Sequence, residues 1–122
     1  MQRYMHTAMR LYFTHFFRSY AYRKADKLGR RLIEIRFAVA LVLRRERRRR
    51  GISQRQLARM LNSAQSTISR VERASPHVSL DLAIRAFLVL GLDDAAISAA
   101  FNPDLRPEVR QLRARTSGPY YR

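Results

Sequence analysis

The sequence predicts an all-α protein, and three observations carry that expectation. Apolar residues recur by threes and fours through most of the chain, capping residues stand ahead of several such stretches, and glycine or asparagine closes them. A length of 122 residues suits one domain with appendages, because two independent cores would each be too small to hold. Three parts are expected: a basic, aromatic, amphipathic extension over 1–27, a five-helix domain over 28–101, and a basic tail over 102–122.

The extension holds five basic residues and no acidic one before residue 26. On a helix, Met5, Met9, Tyr12, Phe13, Phe16 and Tyr20 share one face, opposite Arg3, Thr7, Arg10, Thr14 and Arg18. Three readings stay open: an added N-terminal helix packed on the domain or on a dimer mate, a targeting or membrane-surface helix, and translation from upstream of the native start.

From Leu28 the stripe Leu28, Leu32, Ile35, Val39 and Val42 predicts a helix over about 28–49. A strand competes, since every odd position from Ile33 to Leu43 is apolar, but the Leu, Ala and Arg content favours the helix. The run Arg44 to Arg50 reads as a solvated helix end opposing the negative pole of the dipole. Gly51 stops the helix. Ser53 and Gln56 form a capping box that opens a second helix, Gln54 to about Leu61, with Leu57, Ala58 and Leu61 inward. Asn62 supplies a left-handed turn and Ser63 a cap for a third helix, about Ala64 to Arg73, with Ile68 and Val71 inward.

After Ser75-Pro76, Ser79 caps a fourth helix burying Leu80, Ala83, Ile84, Phe87 and Leu90 and ending at Gly91. Asp93 and Asp94 open a fifth, carrying Ala96, Ile97, Ala100 and Phe101. Pro103 and Pro107 mark the tail.

Charge narrows the function. With 25 Lys+Arg against 9 Asp+Glu, the formal net charge of +16 favours a polyanionic partner. Against this background the segment Asn62 to Arg70, NSAQSTISR, is uncharged until its last residue. Two short helices joined by a tight turn, the second displaying Gln65, Ser66, Ser69 and Arg70, make a helix-turn-helix.

The segment GISQRQLARMLNSAQSTISRVER resembles the DNA-binding core of the lambda-repressor, Cro and xenobiotic-response-element (XRE) family of bacterial and phage regulators. The likeness spans about residues 37–92, with Gly51, Ser53-Gln54, Leu57-Ala58, Ile68-Ser69, Glu72, Ser79-Leu80 and Leu90-Gly91 in register. It implies a lambda-repressor-like fold whose third helix enters the major groove of double-stranded DNA. Ala64, Gln65, Ser66 and Arg70 would then face bases, while Ser53, Gln54, Thr67 and Ser69 would meet the backbone. The chemistry agrees, since Gln pairs with adenine, Arg with guanine, Ser with either, and an Ala methyl lies against a thymine methyl. The resemblance also pairs Arg47 with Glu72 in a structural ion pair, and it places the protein in the cytoplasm on nucleoid DNA. Departures from the family pattern are Asn62 and Ala74 where glycine is usual, Ser63 where an apolar residue is usual, and Val78 where proline is usual. They bear on the loop from Ala74 to Val78.

The expected function is a transcriptional regulator, a repressor binding an inverted repeat as a homodimer. The fifth helix or the N-terminal aromatic face would supply the dimer surface. An antitoxin that also represses its own operon, with a toxin as partner, and a membrane-surface protein using the N-terminal helix are the alternatives. An enzyme is not expected: there is no cysteine, no serine set with histidine and carboxylate, and no phosphate loop. No cofactor or metal is expected, as His6, His15 and His77 show no ligand spacing. The longest apolar run, Phe37 to Leu43, falls far short of the roughly 20 residues that span a bilayer.

Overall fold

A computed structural model describes residue 22 and residues 24–116. Among these, all regular structure is helical: α1 (Lys27–Arg49), α2 (Gln54–Met60), α3 (Gln65–Glu72), α4 (Leu80–Val89), α5 (Asp94–Ala100), a 3-10 turn (Pro103–Leu105) and α6 (Pro107–Thr116). The amphipathic face expected over residues 5–20 lies outside the described residues.

Local chemistry sets the helix starts. Asp26, Ser53, Ser79 and Asp93 each accept a backbone N–H three residues on. At Ser53 the box is reciprocal, with Gln56 N–H on the Ser53 hydroxyl at 3.0 Å and Ser53 N–H on the Gln56 carbonyl at 2.7 Å. The third helix departs from expectation, since its N-cap is Ala64 and no side chain caps it. Ser63 uses its N–H to close the preceding turn on Ala58 O at 2.8 Å instead.

Four helices end alike. After α1, α2, α3 and α4 the residues Gly51, Asn62, Ala74 and Gly91 take φ of 69°, 51°, 54° and 89°. In each, that residue and the next donate back into the last turn, the paired bonds of a Schellman cap. The replacement of glycine by Ala74 therefore leaves this cap intact. Its methyl is buried, which offsets the cost of a left-handed alanine.

The main core joins Val39, Val42 and Leu43 of α1 to Leu57, Leu61, Ile68, Val71, Phe87 and Leu90. Phe101 meets Phe87 edge to face at 6.2 Å. Ala100 is buried and Ile97 and Phe101 pack on this core, so the face of α5 expected to serve a dimer is spent within the chain. A second core lies on the other side of α1, where Ile33, Phe37, Ala40 and Leu41 pack with Tyr22, Ala74, Val109 and Leu112.

This second core corrects the expected tail. Residues 107–116 form a helix whose Val109 and Leu112 are buried, because Pro107 pre-sets the first helical φ and two apolar residues three apart face α1. Ion pairs fasten it. Arg113 forks onto buried Glu34 with two bonds of 2.8 Å, Tyr22 hydroxyl donates to the same carboxylate, and Asp104 takes Arg31 and Arg113. Glu108 pairs with Arg45.

Burial on two faces also corrects the α1 stripe. Leu28 and Leu32 are 79% and 54% exposed, whereas Val39 and Val42 are buried. The first turns of α1 overrun the main core on that side and are covered on the other, at Ile33 and Phe37. The strand-like alternation arises because α1 is buried nearly all round between residues 37 and 43. In α4, Leu80 is 61% exposed, since it heads the helix and the covered stripe begins at Leu82 and Ala83. Finally, the arginine run is not a purely solvated end: Arg47 is buried, Arg44, Arg48 and Arg50 are half-buried, and Arg45 and Arg49 are exposed.

Candidate nucleic-acid interface

Helices α2 and α3 are two short rods joined by four residues, Leu61 to Ala64. Leu57 and Ala58 on α2 and Ile68 and Val71 on α3 are buried in the main core, so each helix turns its other face outward. At roughly 100° per residue, Gln65, Ser66, Ser69 and Arg70 fall within one outward sector of α3. Ala64, Gln65, Ser66 and Arg70 are exposed and Ser69 is half-buried. Thr67, also half-buried, sits on the flank nearer Val71.

Behind this face lies a hydrogen-bonded chain that spacing alone does not reveal. Arg47, the last buried residue of α1, forks onto Glu72 with bonds of 2.6 and 2.8 Å and donates a third to Ile52 O at 2.8 Å. Gln54, heading α2, donates to Glu72 at 3.2 Å and accepts from the Gln65 amide at 2.8 Å. The two buried charges are thus paired and bonded beyond the pair, the condition under which burial of charge is tolerated. Their effect is to set the ends of α1, α2 and α3 against one another.

The expected site residues divide accordingly. Ser53 is exposed with its hydroxyl oxygen engaged as a cap, leaving its O–H free to donate to a phosphate. Gln54 is half-buried and holds Gln65, a role beyond the backbone contact expected of it. Gln65 and Arg70 are the two exposed side chains long enough to reach into a groove from α3.

Charge is unevenly spread. Residues 80–100 carry Asp81, Asp93 and Asp94 against Arg85, while α2 and α3 carry no carboxylate besides the buried Glu72. The arginines of α2 and α3, Arg55, Arg59 and Arg70, are all exposed. Among the described residues there is no group of three His, Cys, Asp or Glu that could hold a metal ion, and no helix long and apolar enough to cross a membrane.

Comparison with known proteins agrees with this geometry. The sequence profile of the helix-turn-helix family matches residues 43–97, from the last turns of α1 into α5. No curated protein and no solved structure gave a match. The all-helical frame, the exposed α3 and the matched profile together identify residues 43–97 as a helix-turn-helix domain of the kind that DNA-binding transcription regulators of the Cro/C1 type carry.

Proposed function

We propose that the protein reads specific duplex sequences through α3 in the major groove and acts as a repressor. The observation that carries this is the row of short, neutral, exposed donors and acceptors on α3, set in a strongly basic chain. Phosphate attraction is blind to sequence, whereas discrimination needs directional groups at base edges. Ala64, Gln65, Ser66 and Arg70 supply these, and Ser53, Gln54, Thr67 and Ser69 lie beside them for the backbone.

A single helix-turn-helix reads few base pairs, so two copies on half-sites about 34 Å apart are proposed. With the inner face of α5 committed to the core, Leu88 and Val89 at the end of α4, 53% and 40% exposed, are apolar groups open to such a contact. An antitoxin would need an appendage to wrap its toxin. Residues 107–116 instead pack into the second core, which favours the simple regulator.

The test is selection of random duplex DNA by purified protein at about 150 mM salt, where nonspecific binding is already weakened. Enrichment of an inverted repeat supports a dimeric reader, a single half-site supports a monomeric one, and no enrichment counts against sequence reading.

A further inference from the structure

The run from Arg44 to Arg50 holds six arginines and one glutamate, and the structure sorts them. Arg45 is taken by Glu108, Arg47 by Glu72, and Arg49 and Arg50 by Glu46. Arg44 and Arg48 are left. Neither side chain has a hydrogen-bond or ion-pair partner among the described residues, and the Arg44 Nε is buried without an acceptor. Both are half-buried, and both lie on α1 one turn apart, so their side chains rise from the same strip of surface.

We propose that Arg44 and Arg48 form a two-pronged phosphate clamp that extends the DNA contact of this domain from α2 and α3 onto α1. The proposal rests on the DNA-binding reading and adds to it a site on another helix. Two like charges one turn apart, partly withdrawn from water, repel one another and lack acceptors. Two adjacent phosphates of one DNA strand, one to each guanidinium, remove both deficits at once. Arg48 follows Arg47, whose fork holds Glu72, the last residue of α3, and it lies within electrostatic reach of that carboxylate. Burial and then the neighbouring Arg44 and Arg47 hold the Arg48 pKa below its ordinary value, the situation a bound phosphate would reverse. A guanidinium fork suits phosphate geometry, and Arg44 keeps its donors uncommitted.

The experiment measures affinity of the full chain for a random-sequence duplex between about 50 and 200 mM salt. Against wild type, Arg44→Gln/Arg48→Gln is expected to lower the slope of log K on log salt by about 2, because each phosphate contact contributes about 0.9. The comparison variant Arg45→Gln/Arg49→Gln removes the same charge from arginines already paired and is expected to lower the slope by less than half as much. An unchanged slope for the first variant, or equal slopes for both, overturns the clamp. If the double variant does not fold, Arg48→Gln alone decides, with a drop of about 1 expected and no drop contradicting it. Failure of wild type to bind any duplex would instead sink the DNA-binding reading itself.

Discussion

The side-chain amide of Gln65 donates to the Oε1 of Gln54 at 2.8 Å, tying the first residue of α3 to the first residue of α2. Because Gln54 also donates to Glu72, α3 is held at both ends by one residue of its neighbour. A glutamine so held presents fewer conformations to a base edge, and less ordering entropy is lost when it binds.

The coupling is measurable. A double-mutant cycle of Gln54→Ala and Gln65→Ala, read as affinity for the selected duplex, is predicted to show an interaction of about 1 kcal/mol. Additive losses would mean that the two glutamines meet DNA independently.

Glu72 is nearly sealed from water with Arg47 against it. Glu72→Ala leaves that guanidinium buried without its counter-ion, and a loss of about 3–5 kcal/mol in unfolding free energy is predicted, read by urea denaturation. A loss under about 1 kcal/mol would place the pair among surface contacts of little consequence.

The last helix is part of the core. Leu112→Ala is predicted to destabilise the protein by about 2–5 kcal/mol, as for other buried leucines. An unchanged denaturation midpoint would return this segment to the status of a tail.

Asp104 supplies a pH dependence. Arg31, and then Arg113, hold its carboxyl well below the usual carboxylate range. With a depressed folded value, its contribution is complete above the unfolded pKa of about 3.9 and is lost as pH falls from there toward the folded value. The difference in melting temperature between wild type and Asp104→Asn is therefore predicted to be constant from about pH 5 to 8 and to close only in stronger acid. A difference that changes between those pH values would assign the effect to another group.

Much of this was legible in the sequence because it is local. The Ser53 and Gln56 box, the stops at Gly51 and Gly91 and the buried pair Ile68 and Val71 act within a turn or two of chain. The second core was not legible. It joins Phe37 and Leu41 to Val109 and Leu112, across some seventy residues, and periodicity cannot say which face of α1 meets which distant helix. For the same reason Leu28 and Leu32 fit the stripe yet lie in solvent. In the candidate site, the outward residues of α3 followed from helical spacing, while the bridge from Gln65 through Gln54 to Glu72 required the packing of three helices.

Sequence reading by α3 is tested by the affinity of the Gln65→Ala and Arg70→Ala variants for the selected duplex and for a scrambled one. Each variant is predicted to lose about 1–3 kcal/mol on the selected duplex and to keep its affinity for the scrambled one. Equal losses on both duplexes would contradict the assignment of these residues to base edges.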